Sequence, residues 1–257
     1  YVGGWIDPRG GTVQPLSYAR GLARAAADAG AQLYSGALVT ELTRGHGAWT
    51  LATDHGRVRA ERVILATNGY TGSLWPGLQR TVLPATSVQV ATEPLSAAVR
   101  GQILPGGYPV SDARRLLNYM RVDSQGRFVI GGRGSFGART PEGHFRRLRR
   151  HARRMFPALD EAAWAYSWGG TVALTLDGLP HLHELAPGLY AGLGFNGRGV
   201  AMATQMGQLL AQAARGTPAD DLPLPMSRPQ PLPVHALRRP AMEAAAIWYR
   251  TLDRLGW

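Results

Sequence analysis

The sequence predicts a mixed fold of the α/β (α+β) class with an antiparallel-sheet domain inserted into it. Three observations carry this. The run Leu189-Tyr-Ala-Gly-Leu-Gly-Phe-Asn-Gly-Arg-Gly-Val-Ala-Met-Ala-Thr-Gln-Met-Gly207 reads as an apolar strand, a turn with glycine at 192, 194, 197 and 199, and then a helix. Between Thr81 and Ile130 the apolar period changes to two, with Gly and Pro between the alternating stretches, as in an antiparallel sheet. The 257 residues are 45% hydrophobic and 18% charged, enough for one large core or two modest ones.

Taken in order, Pro15 opens a helix that reaches Gly30, with Leu16, Ala19, Ala23 and Ala26/Ala27 as its apolar stripe and Gly30 as its stop. Ala31 to Leu42 reads as one or two strands. Trp49 to Ala60 reads as a hairpin turning at His55-Gly56, and Arg62 to Gly69 as a buried strand entering a glycine turn. Val82–Thr92, Leu116–Val122 and Arg127–Ile130 form the inserted sheet. A basic helix follows from Arg146 to Phe156, with Leu148, Ala152, Met155 and Phe156 on its apolar side. Trp168 to Pro180 returns to strand and loop. In the late helix Val200, Thr204, Gly207/Gln208 and Ala211 share a face. A proline-rich connector, Pro223–Pro233, leads to a last helix over 236–257, with Leu237, Ile247, Trp248, Leu252 and Leu255 as packing residues. The expected division is 1–78 and 166–226 for one domain, 79–165 for the inserted one, and 227–257 for the connector and last helix.

Composition excludes several classes. The chain has no cysteine, which removes disulfides, thiol nucleophiles and Cys-ligated metal centres. Its 28 basic residues are all arginine and its net charge is +11. The arginines are scattered except at Arg146–Arg154, which reads as the solvated face of an amphipathic helix rather than a nucleic-acid site. No apolar run approaches the ~20 residues of a membrane span, and no signal peptide is present, so a cytoplasmic setting is expected. His181 and His183 lack a third ligand and read as polar loop residues, so no metal site is expected. No Ser-His-Asp set or Gly-x-Ser-x-Gly elbow is present, and no catalytic residue is assigned. The opening Tyr1-Val-Gly-Gly reads as the middle of a sentence, so a longer parent is expected.

Four constellations remain. The strand, glycine turn and helix at 189–207 suit an electron-rich ligand, because backbone N–H groups and the positive end of the helix dipole converge there; a tight packing turn is the plainer reading. Val63-Ile-Leu-Ala-Thr-Asn-Gly-Tyr70 is a strand ending in a small polar turn, which suits a pyrophosphate or ribose, or a plain buried strand. Tyr166 to Pro180 holds Trp168, either a core ring or a site wall, and an Asp177-Gly178 turn. Asn118 to Arg133 alternates so that Tyr119 and Arg121 share a face, where an arginine anchors a carboxylate or merely faces solvent.

In this order the pieces resemble the D-amino acid oxidase / glycine oxidase / sarcosine oxidase (DAO) superfamily of FAD-dependent oxidoreductases, nearest its gamma-glutamylputrescine oxidoreductase-like bacterial amine oxidases. The matching runs are Gly10–Pro15, Val63–Tyr70, Arg127–Gly132, Trp168-Gly-Gly, Thr175–Pro180 and Gly192–Val200. The resemblance implies a Rossmann-like FAD-binding domain with an inserted antiparallel substrate domain. It implies FAD contacts at Val39 (adenine), at Ala66, Thr67 and Asn68 (diphosphate and ribose), and at Gly194, Phe195, Asn196, Gly197, Arg198, Gly199 and Val200 (the ring near N1 and the C2 carbonyl). It places Tyr119, Arg121 and Trp168 on the substrate side. The implied reaction takes hydride from the carbon next to nitrogen of an amine or amino acid, with oxygen or another acceptor receiving the electrons. Two departures stand out. The N-terminal βαβ unit with Gly-x-Gly-x-x-Gly is missing, and Ala201 stands where the sarcosine oxidase branch carries an oxygen-activating lysine. The other reading is an inactive fragment, or a subunit completed by a partner.

Overall fold

The structure is a computed structural model and describes residues 3–136 and 141–255. The helices are α1 (Pro15–Asp28), α2 (Ala97–Gln102), α3 (Glu142–Met155), α4 (Gly199–Ala214) and α5 (Arg238–Leu255). The strands are β1 (Val39–Gly45), β2 (Ala48–Thr53), β3 (Gly56–Ala60), β4 (Val63–Leu65), β5 (Leu83–Thr92), β6 (Val110–Ser111), β7 (Tyr119–Val122), β8 (Phe128–Arg133), β9 (Trp164–Leu174), β10 (His181–Ala186), β11 (Leu189–Leu193) and β12 (Met226–Ser227). The chain divides into two compact units. One comprises Tyr34–Ala85 and Thr171–Glu243; the other comprises Tyr1–Leu33, Thr86–Gly170 and Ala244–Trp257.

The first unit holds two sheets. A meander, β1-β2-β3, turns at His46-Gly47, both with positive φ, as a tight two-residue hairpin demands. The second sheet has the order β12-β10-β11-β4, with β11 parallel to β4, β10 parallel to β12, and β10 antiparallel to β11. Every residue of β11 is buried, as expected for a strand covered on both faces. On one face Leu189, Ala191 and Leu193 join Val63, Leu65, Ala173 and Trp49. On the other, Tyr190 packs with Leu182, Met206, Leu209 and Leu210. Gly192 lies on that second face, and a Cβ there would overlap the Met206 side chain, so the glycine sets how closely α4 approaches the strand.

The second unit is built on a five-stranded sheet of order β6-β7-β8-β5-β9, in which β6–β7, β7–β8 and β5–β8 are antiparallel. Its core is Val88, Val90, Met120, Phe128 and Ile130, covered by Leu148 and Ala152 of α3 and by Ile103 and Leu159. Leu148 and Ala152, one helical turn apart, are the buried residues of α3, so its six arginines fall outside the buried stripe.

Several sequence expectations need correction. Only Val39 onward forms a strand in the 31–42 stretch, because Gly36 takes a left-handed turn before it. The hairpin loop is Asp54-His55, with Thr53 opposite Gly56. Helix α3 opens earlier, at Glu142, after Pro141. Helix α4 buries Met206, Leu209, Leu210 and Ala213, not the Val200/Thr204/Gly207/Ala211 face, because Gly192 receives Met206. His181 and His183 lie on β10 rather than in a loop, and His183 is fully buried. The apolar stripe of α1 is not buried: Leu16, Ala19, Ala23 and Ala27 are exposed and Ala26 is half-buried. In α5 Ile247, Trp248 and Leu255 are exposed, as is Leu237 before it; Ala246 is the buried residue there. The end of the expected last helix, 256–257, lies outside the described residues.

Candidate functional site

Two turns meet in the first unit. The first ends β4: Ala66 and Thr67 are exposed, and Asn68 follows with φ +40. The second joins β11 to α4 through Gly194 (φ +80), Asn196 (φ +50) and Gly197 (φ +81). Three left-handed residues in four positions let the chain reverse into the helix with little strain, because glycine and asparagine tolerate that region.

The side chains of the two asparagines hold these turns together. The Gly194 N–H donates to Asn68 Oδ1 at 3.0 Å, across 126 residues of sequence. Asn196 Oδ1 accepts from the Thr175 N–H at 2.9 Å, and its Nδ2 donates to Thr175 Oγ1 at 2.9 Å and to the Gly194 carbonyl at 2.6 Å. Thr175 is buried, and its hydroxyl donates to the Leu179 carbonyl at 2.9 Å. The Asp177-Gly178 turn that follows is closed by Leu179 N–H donating to Asp177 Oδ1 at 3.1 Å. Hydrogen bonding from His181, 2.9 Å away, and from Leu179 lowers the Asp177 pKa to about 2. Below the first turn, Gly69 lies hard against β9: a Cβ there would stand 2.5 Å from the Thr171 carbonyl oxygen. Tyr70 accepts the Thr171 N–H at 3.1 Å.

Helix α4 begins at this supported turn with its donors unspent. Arg198 is the N-cap residue, no side chain caps the helix, and the first turn holds no acidic residue. The first helical bond runs from Met202 N–H to the Arg198 carbonyl, leaving the N–H groups of Gly199, Val200 and Ala201 for an outside acceptor. Gly197, Arg198 and Val200 are exposed, and open space surrounds the Cβ position of Gly197. About half a positive charge at the helix end, joined by Arg198, favours an electron-rich group here. These features fit the edge of a flavin ring, where polar ring atoms accept hydrogen bonds.

In the second unit Tyr119 and Arg121 line one hollow of about 220 Å³, with Gln89, Val110 and Val129. Met120 between them points the other way, into the core. The Tyr119 hydroxyl lies 2.6 Å from Ser87 Oγ, and burial pushes its pKa upward. Gly131 stands opposite Tyr119, and a Cβ there would overlap the ring. No described ion pair involves Arg121. Trp168 lies on β9, 42% exposed, and does not line that hollow. Val39 opens β1, on a different sheet from the two turns. Among the described residues no His, Asp or Glu cluster could hold a metal. No described helix is long and apolar enough to cross a membrane.

Sequence reasoning did not single out Thr175 or Tyr70 as site residues. Both lie in runs that carried the resemblance, but nothing local says that Thr175 is the post on which Asn196 hangs.

A family model described as FAD dependent oxidoreductase (DAO) matches residues 1–213. The probable oxidoreductase OrdL of Rhizobium meliloti is 33% identical over 255 residues, covering 99% of this chain and 59% of the relative. The gamma-glutamylputrescine oxidoreductase of Escherichia coli is 32% identical over 259 residues, covering 100% of this chain and 60% of the relative. The crystal structure of glycine oxidase from Geobacillus kaustophilus superposes with a TM-score of 0.65 at 28% identity, over 77% of this chain and 53% of that one. The chain thus spans about 60% of the length of these curated relatives.

Proposed function

The chain belongs to the DAO family of FAD-dependent oxidoreductases, and on that premise we propose that it serves in the oxidation of an amine or amino acid. The observation that carries this is the uncapped start of α4, held in place by the Asn196–Thr175 and Asn68–Gly194 bonds. FAD, when bound, supplies the hydride acceptor and the route for electrons to oxygen or another acceptor. The N–H groups of Gly199, Val200 and Ala201 would stabilise negative charge at the pyrimidine edge of the ring, near N1 and the C2 carbonyl. Because they are fixed before the reaction, they need no reorganisation as that charge develops. Ala66, Thr67 and Asn68 would lie along the diphosphate and ribose, and Val39 along the adenine.

On the substrate side Arg121 would pair with a carboxylate, and Tyr119, fixed by Ser87, would wall the same hollow; Trp168 is assigned to substrate contact as well. A substrate amine would lose hydride from the carbon next to nitrogen, and water would then hydrolyse the imine to a carbonyl compound and the freed amine. No general base is needed if the substrate arrives as the neutral amine. Arg121→Ala in the active enzyme should raise KM for a carboxylate-bearing substrate far more than for a simple amine; equal rises would remove the anchor role.

A second reading is that the chain holds FAD only when completed by a partner. The span of only about 60% of the length of its curated relatives and the unburied face of α1 favour it. Titrating the 257-residue chain with FAD, followed by flavin absorbance and fluorescence, separates the two. Stoichiometric binding weakened by Asn196→Ala supports the first; no binding by a folded chain supports the second.

A further inference from the structure

In the second unit a hollow of about 590 Å³ gathers six arginines from four stretches of chain: Arg114, Arg133, Arg147, Arg150, Arg154 and Arg250. Arg147, Arg150 and Arg154 come from α3, at positions three and four apart that lie on one helix face. Arg114 precedes β7, Arg133 ends β8, and Arg250 comes from α5. One carboxylate, Asp253, lines the hollow, so its formal charge is +5 (six minus one). That carboxylate is already engaged: it accepts the Arg115 N–H at 3.1 Å and the Leu116 N–H at 3.4 Å, and it pairs with the Arg115 guanidinium at 3.6 Å. Arg147, Arg150, Arg154 and Arg250 enter no described ion pair.

The cations also act on one another. Burial and the Arg250 charge lower the pKa of Arg147; burial, then the Arg147 charge and more weakly the Arg133 and Arg250 charges, lower that of His144, against a rise from its hydrogen bond to the Arg133 backbone. His151, on the wall of the hollow, is lowered by burial and by Arg114 and Arg154, against a rise from Asp112. Gathering like charges in a concavity costs free energy unless an anion offsets them, and guanidinium forks suit phosphate and carboxylate oxygens. The volume lies in the range of small-molecule sites, about 300–1,000 Å³. A nucleic-acid face would instead spread its charge along an open stripe.

We propose that this hollow is a binding site for a small molecule carrying two or more phosphate or carboxylate groups. The site is independent of the flavin reading: it uses none of the residues assigned to cofactor or substrate.

The test is isothermal titration of the 257-residue chain at constant ionic strength, with inorganic pyrophosphate in one arm and citrate in another. Saturable one-to-one binding is expected in at least one arm, and the stronger arm tells phosphate from carboxylate ligands. The double variant R147Q/R150Q, whose side chains lie outside the core, should weaken it at least tenfold; R154Q alone should weaken it about threefold. The control R20Q/R24Q on α1 should leave it unchanged. Absence of saturation in both arms would overturn the proposal. So would equal weakening by the α1 control, or binding only of short duplex DNA with a steep salt dependence, which would assign the arginines to nucleic acid.

Discussion

Asn196→Ala tests the support beneath the candidate flavin turn. The substitution removes three hydrogen bonds: one from the Thr175 N–H, one to Thr175 Oγ1 and one to the Gly194 carbonyl. At a net ~1 kcal/mol each they sum to about 3 kcal/mol. Position 196 also has φ +50, which asparagine tolerates and alanine does not, adding about 1 kcal/mol. The expected loss is about 4 kcal/mol. Asn196→Gly loses the same bonds without the backbone strain; after its larger unfolded-state entropy of about 0.4–1 kcal/mol it should be about 0–0.6 kcal/mol more stable than the alanine variant. Urea unfolding followed by far-UV circular dichroism measures both. Amide exchange at Thr175 and Gly194 should quicken in both variants, since one N–H loses its acceptor and the other sits on the loosened turn. If Asn196→Ala costs less than about 0.5 kcal/mol, an ordinary surface value, the turn is not held as described. A glycine variant less stable than the alanine variant would refute the strain argument.

Three further outcomes follow from the same packing. Gly69→Ala places a methyl group 2.5 Å from the Thr171 carbonyl oxygen, a backbone atom that cannot swing away, and should cost about 3 kcal/mol in urea unfolding, the upper end for overpacking. Gly192→Ala should cost about 1–3 kcal/mol and Met206→Ala about 2–5 kcal/mol, while the double variant should cost at least about 1 kcal/mol less than their sum; strict additivity would mean that Met206 does not fill the place of the missing Cβ. Buried His183 gives a pH dependence. Its Nδ1 lies 2.9 Å from the Ser227 carbonyl, which can only accept, so Nδ1 carries the proton; Nε2 is buried without a partner. Burial lowers its pKa in the folded state below 6.5, so the unfolded chain takes up a proton that the folded chain refuses, and this stability is lost as pH falls below 6.5. Unfolding of wild type and His183→Gln at pH 7.5 and 5.5 should show a smaller loss on acidification in the variant.

The relation of sequence to site is clearest in the 189–207 run. The strand, the left-handed glycines and the helix start are local properties, set by apolar spacing and by the backbone freedom of glycine, and they were legible without a fold. The same holds for the hairpin after Trp49, the Leu148/Ala152 stripe of α3 and the alternation that faces Tyr119 with Arg121. The resemblance carried the family, because it rests on the order of several such runs rather than on any one.

What the sequence by itself determined, then, is the set of local elements and the chemistry each can offer. The tertiary structure decided which of them meet. Periodicity put Val200 and Thr204 on one face of α4, yet the face that is buried is another, the one that fits the gap at Gly192, a complementarity between two surfaces that neither segment encodes alone. The bond from Gly194 to Asn68 spans 126 residues and depends on β4 lying parallel to β11. The basic stripe of α3 reads locally as a solvated face; only when Arg114, Arg133 and Arg250 arrive from distant segments does it become the wall of a hollow. Local structure follows from short-range sterics and spacing, whereas a site needs groups far apart in sequence to be brought together by the packing of a common core.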